Sequence, residues 1–328
     1  MSELRRARTS SGGVERQRRL LCVLTFHLVA LTAAGMAAAQ DSLFTPVTPP
    51  ASPVPFAVRP RMPRQGSLIV LRVTPPSTRD GDSVVAVLGE LAGEPLHFER
   101  RPAGGFRALG GVPLDAPDTV AVRLVLQRAT GVVDTAEVRL AVARRRAVVD
   151  RVTTSPEYAA PPDSVLLARI ATEREAARAA ARSSHDVPRL WARPFVRPRP
   201  RGSRITGQFG AQREVNGVLG GKHAGLDIAG AAGAPVRAAN RGVVTLVGDF
   251  YYGGISVYVH HGGGLMTAYH HLRRAAVAVG DTVERGAVIG GVGATGRVTG
   301  PHLHWAAQYG RVAVDPADLL KLLAASPD

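Results

Sequence analysis

Cysteine is nearly absent: the 328 residues include one, Cys22. That excludes an internal disulfide framework and a cysteine-built zinc ribbon. Lysine is almost as scarce. Only Lys222 and Lys321 are present, so 39 of the 41 basic side chains are arginines. A swinging-arm carrier domain is suggested by the Gly-x-x-Val pieces in Gly233–Val244 and Gly280–Val292, but it needs a lysine at an exposed hairpin tip. Lys222 stands beside His223 and Lys321 falls in a terminal helical stretch, so neither serves. Aromatic residues make up 5% and are not interleaved with the basic runs, which leaves nucleic acid no stacking platform. The net charge of +15 therefore reads as an arginine-biased composition, with no nucleic-acid partner. With 45% hydrophobic and 20% charged residues, the chain is neither disordered throughout, collagen-like nor a multispan membrane protein.

The one notable apolar run, Leu20–Ala34, follows six arginines and precedes Gly35-Met36-Ala37-Ala38-Ala39. A basic n-region, a short apolar h-region and an Ala-x-Ala site describe a secretory signal peptide cleaved after Ala39. An uncleaved anchor competes, since the run reaches spanning length if everything to Ala39 is counted. Cleavage removes Cys22 and lowers the charge to +11. The expected location is the periplasm or the cell-wall side, with no stable membrane insertion afterwards.

Composition divides the rest. Residues 40–65 hold seven prolines and read as a disordered leader. Residues 66–150 carry Val- and Leu-rich runs at Ser67–Val73, Ser83–Leu88, Thr119–Gln127 and Val132–Val142, which predict a β-sandwich-like accessory domain. His97 reads as a surface or packing residue, and Gly105–Asp115 carries no evident chemistry. Residues 151–202 form a connector. Asp163 caps a helix from Ser164 to Arg182, followed by the alternating Arg and Pro of Arg193–Arg201, a stiff linker able to meet an anionic surface. Residues 203–328 hold 23 of the 36 glycines, interleaved with runs at Gly242–Val247, Ile255–His260, Leu265–His270, Val288–Gly293 and His302–Gln308. These predict short antiparallel strands with tight turns. Asp315 and Pro316 open a final helix over Ala317–Ala324.

Seven of the ten histidines lie between His223 and His304. His302 and His304 are two apart, so on a strand they share a face. His223 and Asp227 are four apart, with Gly225 between them to let the backbone bend until both side chains converge. Imidazoles with one carboxylate suit zinc, and a catalytic site takes three protein ligands and leaves one position open. Spacing alone would make both His302 and His304 ligands. Arg213 and Asn216, in a loop upstream, are candidates to line the cleft.

The segment from about Thr206 to Pro316 resembles the lysostaphin/LytM family of zinc metallopeptidases. The matching pieces are Phe209-Gly210, His223-x-Gly-x-Asp227, Gly233-x-Pro-Val236, Gly242-Val-Val244, His261-Gly262, Tyr269-His270-His271-Leu272, Gly280-x-x-Val283, Gly293-Ala-Thr-Gly296 and Gly300-Pro-His-Leu-His304. The resemblance implies one Zn2+ held by His223, Asp227 and His304. It makes His302 and His271 the catalytic histidines, and the peptide cross-links of bacterial peptidoglycan the substrate. It leaves His270 at a variable position, read as surface on the face opposite His271. His261 is read as structural at a hairpin tip, and His260 has no role. The family's usual HLHFE ending reads His302-Leu-His304-Trp305-Ala306 here, without the acid. The expected fold is mainly β: a β-sandwich-like N-terminal domain, a short helical connector and a C-terminal antiparallel β-sheet metallopeptidase domain. The alternative is a non-catalytic wall-binding protein or an activator of other wall hydrolases. The intact set of ligands and catalytic histidines argues against it.

Overall fold

The computed structural model describes residues 54–75, 82–155, 158 and 161–322. The expected signal peptide with its Cys22, and most of the stretch read as a proline-rich leader, lie outside the described residues. Nine strands come first: β1 (Phe56–Arg59), β2 (Leu68–Val73), β3 (Val84–Leu91), β4 (Glu94–His97), β5 (Glu99–Arg100), β6 (Phe106–Gly111), β7 (Thr119–Arg128), β8 (Val133–Ala141) and β9 (Val149–Val152). They build two four-stranded antiparallel sheets, ordered β1-β2-β6-β5 and β4-β3-β7-β8, with β9 left over. Strand β1 falls inside the stretch read from sequence as leader, and it pairs along β2 from Phe56↔Val73 to Arg59↔Val70. The two sheets meet closely at Gly110, where a Cβ would stand 3.0 Å from Leu91 Cδ2 and 3.1 Å from Leu96 Cδ2.

Helix α1 (Ser164–Arg182) starts where Asp163 accepts a hydrogen bond from Leu166 N at 2.8 Å, a side-chain cap on an otherwise orphaned donor. Its alanine-rich face packs on the next sheet: Ala177, Ala180 and Ala181 meet Tyr258, Met266 and Ala268. No helix among the described residues is long and apolar enough to cross a membrane. The Arg–Pro stretch that follows, read from sequence as a stiff linker, is docked. Phe195 is 4% exposed; its ring centroid lies 5.0 Å from that of His261. Arg197 and Arg199 donate to the backbone carbonyls of Arg201, Ser203 and Pro235.

The C-terminal strands are β10 (Ile205–Gly207), β11 (Gln212–Val215), β12 (Val218–Lys222), β13 (Gly225–Ala229), β14 (Pro235–Arg237), β15 (Gly242–Phe250), β16 (Gly254–Gly262), β17 (Leu265–Ala275), β18 (Thr282–Val283), β19 (Val288–Val292), β20 (His302–Tyr309) and β21 (Val312–Val314). Ten of them form one antiparallel sheet around the path β10-β13-β20-β17-β16-β15-β18. Trp305, Tyr269, Tyr309 and Leu265 are fully buried beneath it. The other two, β11 and β12, make a hairpin whose β11 pairs in parallel with β9, placing Arg213 opposite Asp150. Helix α2 (Pro316–Leu322) is the last described element, with Asp315 Oδ1 accepting from Ala317 N at 3.0 Å.

One apolar core runs through the early sheets and the late one. Gly111 marks the seam: a Cβ there would lie 3.0 Å from Val312 and 3.1 Å from both Tyr309 and Val314. Polar contacts flank it. Tyr309 donates to Pro95 O at 2.8 Å, Arg311 pairs with the buried Glu94, and Arg145 pairs with Asp315. His97 belongs here, 2.8 Å from His185 Nδ1, while His185 Nε2 lies 3.0 Å from Glu94. It is a packing residue. The stretch Gly105–Asp115 thus has a structural purpose, because its two adjacent glycines admit close neighbours on both sides.

Candidate metal centre and its cleft

Asp227 on β13 faces His304 on β20, and His304 faces His270 on β17. Register partners on adjacent antiparallel strands rise from one face, so these three side chains form a row. His223 joins them from the turn after β12. Its Nδ1 lies 2.9 Å from Gln208 O, which makes that nitrogen the donor and leaves the Nε2 lone pair pointing inward. That Nε2 is 3.1 Å from Asp227 Oδ1 and 2.9 Å from His304 Nδ1, and His304 Nδ1 is 2.9 Å from the same Oδ1. One ligand atom from each residue fits within a 4.8 Å span. A lone pair, a carboxylate oxygen and an imidazole nitrogen are therefore crowded into a buried space with at most one proton to share. Such a donor set fits a divalent cation that prefers imidazole and carboxylate.

Burial works against the charge on Asp227, but its close polar contacts with the His223 and His304 imidazoles outweigh it and hold the carboxyl well below the usual range. Burial pushes His304 down, against the pull of Asp227. The second carboxylate oxygen, Oδ2, accepts from Arg213 Nη2, and Arg213 Nε lies 3.4 Å from Asp150 Oδ2. Both residues expected to line the cleft do so: Arg213 is bonded to Asp227, and Asn216 accepts from Thr154 N at 3.0 Å. Gly225 is needed for a different reason from the one expected. Its φ is not positive; a Cβ there would lie 2.6 Å from His304 Nε2, inside the imidazole.

His302 and His271 stand beside this row, their ring centroids 5.0 Å apart. His302 Nδ1 is 2.8 Å from Gly300 O, and His271 Nδ1 is 2.9 Å from Thr295 O. Each carbonyl fixes Nδ1 as the donor and leaves Nε2 as an acceptor. His302 Nε2 is 3.7 Å from Asp227 Oδ1. Burial, then the neighbouring His304 and His302, push His271 down to about 3. All five residues singled out from the sequence therefore meet in one cleft.

His270 corrects the sequence reading. It is not a surface residue on the opposite face: its ring lies 5.2 Å from that of His304, and its Nδ1 is 2.8 Å from Ser256 Oγ. The reason is a β-bulge. Ile255 pairs with Leu272 and Val257 with Tyr269, so His270 and His271 together oppose Ser256 alone. His271 takes up the extra residue at φ 60°. Alternation breaks, and both histidines line the cleft. His261 is fully buried between Arg241 O and Thr267 Oγ1, both at 2.8 Å, a structural placement. His260 is also buried.

The cleft encloses about 860 Å³. Its far wall is the connector, through Tyr158, Ile170, Glu173, Arg174 and Ala177, with Tyr252 and Arg297 along one edge. Sequence reasoning missed these residues, for which no periodic pattern exists. Only an N-cap signal located the helix that carries most of the connector wall.

A two-imidazole, one-carboxylate cluster on an antiparallel sheet, with two lone-pair histidines beside it, defines a metallohydrolase domain. Residues 221–316 match Peptidase family M23, and the chain carries an M23 peptidase domain. It is 43% identical over 97 residues to DD-carboxypeptidase/endopeptidase Mpg of Neisseria meningitidis serogroup B, covering 30% of this chain and 22% of that protein. It is 39% identical over 104 residues to peptidoglycan DD-endopeptidase ShyC of Vibrio cholerae, covering 31% and 24% respectively. The chain thus spans less than a quarter of the length of these relatives. A solved M23-type structure from Pseudomonas aeruginosa superposes with a TM-score of 0.58 at 29% identity, covering 80% of this chain and 96% of that one.

Proposed function

We propose that this protein is an exported zinc endopeptidase that hydrolyses peptide cross-links of peptidoglycan. The observation that carries the proposal is the convergence of His223 Nε2, Asp227 Oδ1 and His304 Nδ1 beside the free Nε2 atoms of His302 and His271. The matches to peptidoglycan endopeptidases support the substrate class, and the basic and apolar leader supports export. His223, Asp227 and His304 hold the ion. The chemistry supplied by bound zinc is polarisation of the scissile carbonyl and activation of water near neutral pH.

The protein's own groups move the protons. The Nε2 of one cleft histidine accepts the proton lost by the attacking water and delivers it to the leaving amine as the C–N bond breaks. The Nε2 of the other accepts a hydrogen bond that orients the water. Their Nδ1 anchors on Gly300 O and Thr295 O hold both rings in the accepting tautomer. Arg213 keeps Oδ2 of Asp227 turned away, so Oδ1 faces the centre.

The test is a pair of variants assayed for zinc content and for muropeptide release from purified peptidoglycan. His304→Ala should lose both. His302→Ala should retain zinc and lose at least about 100-fold in hydrolysis, the scale of a general base. Full activity in His302→Ala would refute the assignment of roles.

A further inference from the structure

The cleft holds more cationic charge than its own residues neutralise. Glu173 is engaged by Arg169 at 2.6 Å and by the backbone N–H of Tyr251 at 2.9 Å. Asp150 faces Arg213, Arg213 donates to Asp227, and Lys222 donates to Leu114 O. That leaves Arg297 and Arg174 on the lining. Neither has a carboxylate within ion-pair distance among the described residues.

Arg297 is the better defined of the two. Its guanidinium carbon lies 4.4 Å from the centroid of the Tyr252 ring, and its backbone N–H donates to Tyr252 O at 3.0 Å. Tyr252 is braced in turn: its ring lies 4.8 Å from that of Tyr251, and Tyr251 lies 5.1 Å from Tyr158 of the connector. Glu173 fixes the turn by accepting from Tyr251 N with both oxygens. A guanidinium stacked on an aromatic face keeps its edge donors free, in a rigid fork matched to a carboxylate. The loop that carries it, between β19 and β20, also carries Thr295 and Gly300, the carbonyl anchors of His271 and His302. A group bound by Arg297 therefore sits in the same cleft as the scissile bond.

We propose that Arg297, stacked on Tyr252, forms a subsite for a free carboxylate of the peptide being cut, with Arg174 adding charge from the connector wall. This rests on the endopeptidase reading above and extends it. Substrates would be peptides with an ionised carboxylate close to the cleaved bond, in preference to the same peptides with that group amidated.

The experiment uses the full zinc-loaded protein and cross-linked muropeptides prepared with free or amidated carboxylates. Equilibrium binding is measured by calorimetry and hydrolysis by product analysis, at one ionic strength. The wild-type protein should prefer the free-carboxylate form at least about tenfold in Kd and in KM, the scale of one charge-assisted bidentate contact. Arg297→Ala should reduce that ratio to near one. Arg297→Lys, which keeps the charge without the fork, should recover part of it. No wild-type preference, or an Arg297→Ala loss that is equal for both forms, would overturn the subsite. Arg297-dependent binding preference without hydrolysis would leave the subsite standing and remove the endopeptidase reading instead. Failure of both forms to bind would remove both.

Discussion

Replacing Gly225 by alanine tests how closely the centre is fitted. Gly225 lies opposite Ala306 in the β13–β20 ladder. A Cβ there would stand 2.6 Å from His304 Nε2, 2.7 Å from His304 Cε1 and 2.7 Å from Trp305 O. Comfortable nonbonded separations are about 3.5–4.0 Å, so the methyl overlaps its neighbours by roughly 1 Å. Trp305 is fully buried and its strand is paired on both sides, so the backbone cannot retreat cheaply. The imidazole has to move. Overpacking of this kind costs about 1–3 kcal/mol. If that cost falls on the ring position needed for metal, zinc affinity drops about 5- to 150-fold. Competition against a chromophoric chelator measures the affinity, and melting of the metal-free protein separates it from general destabilisation. Gly221→Ala is the control, since nothing lies within 4 Å of the place its added methyl would occupy. If Gly225→Ala bound zinc as tightly as Gly221→Ala while remaining folded, the steric argument would be wrong.

Two further expectations concern stability. Burial, then the nearby Asp315, push Asp318 up to about 6 from 3.8. Its contribution is fully favourable below pH 3.8 and is lost as pH rises through 6. Asp318→Asn, which keeps an acceptor for Leu68 N, should therefore raise Tm at pH 7–8 and change little near pH 4. The gain should not exceed about 3 kcal/mol; a larger gain in acid than at neutral pH would contradict the sign. Phe195→Ala tests the docked Arg–Pro segment. It should cost about 3–5 kcal/mol in a denaturant titration, whereas a free linker would show almost no change.

Much of the chain was legible in the sequence because its signals are local. Asp163 marks the start of α1 because a carboxylate there captures a helix N–H. The Val-rich runs show most strands because alternation and turn glycines are local too. His223, Asp227, His302 and His304 stood out because of residue type and spacing, and the family resemblance, not spacing, set His302 apart from the ligands. What was not legible depends on register and on distant pairing. Two neighbouring histidines on a strand should point apart, and only the partner strand, one residue shorter opposite them, shows that His270 and His271 do not. Arg213 reaches Asp227 through a hairpin, and Ile170 reaches the cleft through a helix packed onto the sheet. No periodicity within either segment could announce those meetings. The glycine pair at Gly110 and Gly111 was conspicuous, but its purpose lies in contacts from strands far away in the chain.

The parallel pairing of β9 with β11 has a consequence for how this domain can be inherited or transplanted. The family match begins at residue 221, after Arg213 and well after Asp150. A recombination event at that boundary would carry the five histidine and aspartate positions but leave behind the arginine that orients one of them and the strand that positions the arginine. The unit that travels intact is therefore longer than the motif that names it.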